Sequence, residues 1–227
     1  MAIKPILFNT EMVLSTLSGK KTSTRKLVEP RQFMGMLPDK CKNAVPDEFL
    51  KGKRMMFKPY CDMTDAELIM TAYKEPYQPG DTLYVRETWM NYAGRTMYRA
   101  DCDKYRLESL KLAEFSWKPS IHMPKEAARI WLKVTDVRVE RLQDITEDGA
   151  WQEGTDCWDD ACYADNGWHP TFEDPDSGGN CDIISGFRKL WNSTIKKSYL
   201  DRYGWDANPW VWVISFERCE KPEGAHS

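Results

Sequence analysis

The sequence predicts an α+β protein, a small mixed β-barrel with short helices at its edges and two irregular insertions. Three observations carry this. Side chains alternate in kind over short runs, Leu83 and Val85 against Tyr84 and Arg86, Ile130, Leu132 and Val134 against Trp131, Lys133 and Thr135, and aromatics against aliphatics in "NPWVWVISFERC", the period-2 pattern of strands. Few runs show helical spacing, and those are short. The composition, 41% hydrophobic and 12% aromatic with ten Trp, is enough to build a core.

The elements follow in chain order. "KPILF" (4–8) reads as a strand. In "NTEMVLSTLSG", Asn9 or Thr10 caps a helix whose apolar positions are Met12, Val13, Leu14 and Leu17, and Gly19 suits the C′ position. "TSTRKLVEP", rich in β-branched residues, is extended. Residues 31–78 mix charges, prolines and methionines and form a first insertion, with one helix near 64–73. Pro79-Gly80-Asp81 turns the chain into a strand where Leu83 and Val85 alternate with Tyr84 and Arg86. "RTMYRADC" is another strand. A long one follows, with Ile130, Leu132 and Val134 against Trp131, Lys133 and Thr135.

Thr146 starts a short helix ending near Gly154, although Gly149 stands where a capping box has Glu. Residues 155–182, rich in Asp, Gly and aromatics, form the second insertion. "ISGFRKLWNSTI" is an amphipathic helix, and "NPWVWVISFERC" closes the fold as a strand. One face of that strand must be core, so Trp210 and Trp212 are packing residues. Residues 1–219 are expected as a single domain and 220–227 as a disordered tail.

A net charge of -3 excludes a globally basic nucleic-acid binder, so any such site is a local patch. No run has the length of a signal peptide or of the roughly 20 apolar residues that span a bilayer. Seven irregularly spaced cysteines without an export signal read as reduced thiols. A cytoplasmic location without membrane association is expected.

"GKKTSTRK" (19–26) is the most informative stretch. Its basic residues complement the dipole at the preceding helix C-terminus, or grip phosphate, or serve catalysis. In the last case a desolvated lysine acts as base toward a threonine nucleophile. Lys21 and Thr24 point to opposite faces of a regular strand, so they converge only if the chain bends after Gly19.

This stretch resembles the signature turn of ASCH domains, small barrels related to the PUA fold. Gly19, Lys21 and Thr24 fit the signature; its final Arg position is Lys26 here, with Arg25 beside it. "PGDTLYVRETW", "PSIHMPKEAARIWLKVTDVRVERLQDIT", "AWQEG" and "WDANPWVWVISFER" are similar to blocks of prophage-associated ASCH proteins labelled morphogenetic. These blocks cover about half the chain. One ASCH branch hydrolyses N(4)-acetylcytidine to cytidine and acetate. The resemblance implies Thr24 as nucleophile, Lys21 as its activator and Glu153 as proton shuttle, with no cofactor. It implies a modified nucleoside or RNA as partner, and leaves open a ribonuclease, a non-catalytic RNA-binding module or a phage assembly factor.

Arg25 and Lys26 join the expected substrate-binding set. Arg86, Glu87 and Trp89 either read and stack a base or form an internal ion pair under a packed Trp. Ser120 and His122 line the pocket or are merely structural. Cys157, Cys162, His169 and Cys181 have zinc-ligand chemistry but lack tight C-x-x-C pairs; the nearby acidic residues read as a solvated loop, and no metal site is assigned.

Overall fold

The structure is a computed structural model that describes residues 1–29, 70, 73–92, 94–112, 115–155 and 183–222. The expected insertions (apart from residues 70, 73–78 and 155), with them the 64–73 helix except Met70 and Tyr73, the Cys157/Cys162/His169/Cys181 group and residues 223–227 lie outside the described residues.

Seven strands and five helices are described: β1 (Ile3–Leu7), α1 (Thr10–Leu17), β2 (Ser23–Leu27), β3 (Thr82–Arg86), β4 (Trp89–Tyr92), β5 (Arg95–Tyr98), α2 (Lys104–Leu112), β6 (Trp131–Arg141), α3 (Glu147–Gln152), α4 (Ile183–Thr194), α5 (Leu200–Tyr203) and β7 (Trp210–Cys219). The main sheet has the order β1-β3-β6-β7-β2, and β4 and β5 form a separate ribbon. The sheet is mixed, because β1 pairs with β3 in parallel and β3 with β6 antiparallel.

The expected closed barrel is corrected to an open sheet, with β1 and β2 as its edges among the described residues. The physical reason sits in β1. Thr82 donates to Ala2 O and Phe8 N donates to Arg86 O, so even-numbered positions face β3 and Pro5 faces outward. Proline offers a further strand no N–H there, and Tyr77 Oη already donates to its carbonyl at 2.8 Å.

The chain divides into two compact units. The first comprises Met1–Thr22, Tyr77–Val137 and Ile214–Ser227. In it Asn9 accepts from Met12 N at 2.8 Å and caps α1. Gly19 leaves the helix at φ 81°, a left-handed conformation that suits glycine. Ile6, Phe8, Val13, Leu83, Val85, Leu132 and Phe216 are buried. A neighbouring cluster joins Trp89, Met123, Ala128 and Trp131, which explains why Trp131 is buried on the face where Lys133 and Thr135 are exposed. Asp81 ties the turn to the N-terminus, accepting from Ala2 N, Gln78 N and Lys4 Nζ at 2.9, 3.0 and 2.7 Å.

The second unit comprises Ser23–Pro76 and Arg138–Val213. Its core gathers Leu142, Ile145, Ala150, Ile183, Phe187, Trp191, Val211 and Val213. Ile183, Phe187 and Trp191 recur every four residues along α4, an apolar stripe of helical period. Thr146 caps α3 by accepting from Gly149 N at 3.1 Å.

Candidate functional site

In the second unit, Ser23, Thr24 and Arg25 are consecutive in β2 and all buried. Three polar residues in a row with neither strand face in water are costly unless partnered. Arg25 has partners. Its Nε and Nη2 donate to Glu140 Oε1 at 2.9 and 2.6 Å, and its Nη1 donates to Glu153 Oε1 at 3.1 Å. The guanidinium also lies 5.7 Å from the Phe187 ring centroid.

Local structure positions each partner. Glu140 comes from the end of β6. Glu153 is the C-cap residue of α3, and Gly154, at φ 75°, turns the chain immediately after it. Gly149 now has a reason. A Cβ at that position would stand 3.0 Å from Arg25 Nη2, so the missing capping-box glutamate makes room for the arginine. Two hydroxyls in this unit, Ser23 Oγ and Thr155 Oγ1, are buried without a hydrogen-bond partner among the described residues. Burial pushes the Lys26 ammonium down to about 8, although the Glu29 carboxylate partly opposes the shift.

The other expected residues belong to the first unit. Lys21 follows the helix exit, held by its backbone N–H donating to Ser15 O at 3.0 Å. Its side chain is buried, with Nζ 5.6 Å from the Phe8 ring centroid. Arg86 Nε donates to Met123 O at 2.6 Å. Glu87 is buried and forked by Arg129, whose Nε and Nη2 donate to its two oxygens at 2.9 and 3.0 Å. Arg129 also donates to Asp101 from Nη1, at 2.7 and 2.8 Å. Trp89 packs in its cluster, with Lys118 Nζ 4.9 Å from its ring centroid. Ser120 and His122 lie on a short 3-10 turn, Ser120 half-buried and His122 exposed.

Thus the structure joins Arg25 to Glu153 in one unit and brings Arg86 and Glu87 against Met123 in the other. Glu87 does form an internal ion pair beside a packed Trp, but its partner is Arg129. Sequence reasoning missed Arg129 and Glu140, which stand 42 and 115 residues from the side chains they bind. Gly149 at the capping-box position was the one local sign of a close approach. Among the described residues no helix is long and apolar enough to cross a membrane. No family model, curated protein or solved structure matches the chain.

Proposed function

We propose that this chain is a PUA-like ASCH protein that acts on nucleosides or RNA, as an amidohydrolase removing the acyl group of N(4)-acetylcytidine-like substrates. One observation carries the reading. The signature turn and the glutamate that the resemblance pairs with it are far apart in sequence, yet Arg25 of that turn donates to Glu153 at 3.1 Å, 128 residues away.

In this reading Thr24 Oγ1 attacks the acyl carbon and gives its proton to a neutral Lys21 Nζ. The tetrahedral intermediate collapses, the C–N bond breaks, and the proton that Lys21 took from Thr24 passes through the Glu153 carboxylate to the departing exocyclic amine, leaving Lys21 neutral and Glu153 ionised again. Water then cleaves the threonyl ester and releases acetate. Arg25 is a positioning residue that fixes the Glu153 carboxylate, so its guanidinium is directed to Glu140 and Glu153. Lys26, Arg86, Glu87, Trp89, Ser120 and His122 remain the substrate-side set under this proposal.

Conversion of N(4)-acetylcytidine to cytidine, followed by chromatography, tests it. Wild-type turnover is expected, with Lys21→Ala and Thr24→Ala each lowering the rate by roughly 100-fold or more. A wild type without turnover, or a Thr24→Ala variant that retains it, removes the hydrolase.

A further inference from the structure

Two buried hydroxyls near the Arg25–Glu153 bond have no part in the chemistry above. Side chains two apart on a strand share a face. In β2, Arg25 reaches Glu153 at the end of α3 and the Phe187 ring of α4, and Leu27 packs on the cluster that holds Ala150, Ile183 and Phe187. Ser23 is the third member of that row, so it faces the same layer. On the other side of the bond, Thr155 stands two residues beyond Glu153, and its backbone N–H donates to Ala150 O at 3.4 Å, which folds the chain back over α3. Each hydroxyl is thus two residues, at most about 7 Å of extended chain, from a member of one hydrogen bond.

Both residues are almost out of water, Ser23 at 1% and Thr155 at 3% exposure. Ser23 Oγ and Thr155 Oγ1 have no hydrogen-bond partner among the described residues. Such burial costs free energy that a partner recovers. The surrounding charges select the partner. Arg25 pairs with Glu140 and Glu153 at 2.6 and 3.1 Å, and Arg138 with Glu140 at 3.4 Å, so the four charges sum to zero. A charged ligand would enter this interior without a counter-ion. A hydroxyl both donates and accepts, so two of them suit a neutral group that offers an acceptor beside a donor, as an amide or an acylated amidine edge does.

We propose that Ser23 and Thr155 form a subsite for such a neutral edge, one hydroxyl donating to its acceptor and the other accepting from its N–H. For the identity of the ligand the subsite rests on the proposed hydrolysis: there the edge is the ring nitrogen and the N–H of the acylated base, next to the amine that Glu153 protonates. Ser23 and Thr155 then determine specificity, because the acyl amide of a simple alkyl amine lacks the ring nitrogen.

Steady-state kinetics on N(4)-acetylcytidine and its 3-deaza analogue, in which C–H replaces the ring nitrogen, test the subsite alongside urea unfolding. Ser23→Ala and Thr155→Val are each expected to raise KM by roughly three- to tenfold, more than they lower kcat. The wild type should prefer the ring nitrogen by roughly tenfold in kcat/KM, and the Ser23→Ala, Thr155→Val double variant should show no preference. Urea midpoints should hold or rise, because each change removes an unpaired hydroxyl. Unchanged KM, a preference kept by the double variant, or falling midpoints, the mark of hydroxyls already satisfied by internal water, overturns the subsite while turnover stands. A wild type without turnover removes the hydrolase, and calorimetric titration with cytidine then decides. Binding that both variants weaken leaves the subsite standing; absent binding, or binding that they leave unchanged, removes it.

Discussion

Each unit holds one arginine between two carboxylates, but burial falls on opposite partners. In the first unit Arg129 is 26% exposed. It reaches inward to Glu87, at 2%, and outward to Asp101, at 50%. In the second unit the cation is the deepest member. Arg25 is 2% exposed, between Glu153 at 4% and Glu140 at 16%. Water and the ring of Tyr98, 4.0 Å from the guanidinium centre, share the support of Arg129. Arg25 depends on its two carboxylates, while Glu140 also pairs with Arg138 at 3.4 Å. The first arrangement is a surface-anchored clamp on one buried anion; in the second the buried cation is itself the centre, and removing it takes a charged partner from both Glu153 and Glu140.

The strongest way to break this comparison is to remove each cation. Arg25→Met is expected to lower unfolding free energy in urea by about 3–5 kcal/mol. Arg129→Met should cost about 2–3 kcal/mol, because only Glu87 is left unpaired in the interior. Equal losses would show that both clamps are desolvated alike.

Lys26 sharpens the contrast by pH. Its folded value of about 8 lies below the ordinary 10.5, so between those values the unfolded chain binds more protons and stability rises with pH. Below about pH 8 the penalty of the buried charge is fully present. Lys26→Met should therefore stabilise the protein at pH 7 by about 2 kcal/mol. The gain should fade between pH 8 and 10.5, as read from urea midpoints across that range. A gain that does not change with pH would trace to packing instead.

Gly149→Ala addresses the triad from its neighbour. A helix-propensity gain near 1 kcal/mol is opposed by a Cβ 3.0 Å from Arg25 Nη2 and 3.2 Å from Ile145 Cγ1. A net loss of about 1 kcal/mol is expected, and near neutrality in the Arg25→Met background; additivity in that double-mutant cycle would place the clash elsewhere. The smallest effect belongs to Asp101→Asn. This exposed carboxylate should contribute no more than about 0.5–1 kcal/mol, less at high salt.

Local elements were legible because their signals are local. Asn9 as cap, Gly19 as helix exit and the alternation at 82–86 all follow from a few adjacent residues. The pairing of β4 with β5 was not legible, since "TWMNY" carries no alternation that distinguishes its faces. Nor was sheet closure, which turned on which way Pro5 points. For the candidate site, the sequence marked Arg25 and Glu153 separately. It could not show that Glu140 shares the guanidinium, because a glutamate on a long alternating strand looks like any exposed one. Likewise "VRE" suggested a pair between neighbours, whereas adjacent strand residues point to opposite faces and Glu87 turned to Arg129.

The strand order has a consequence for how the protein is made. Both edge strands, β1 and β2, precede the other strands of the sheet in the chain, but their sheet neighbours are β3 and β7. β2 must wait for β7, at Trp210–Cys219, before it has a partner. At about 5–20 residues per second, translation holds the buried polar run Ser23-Thr24-Arg25 without its interior for roughly ten seconds or more. Such long-range closure favours slow folding.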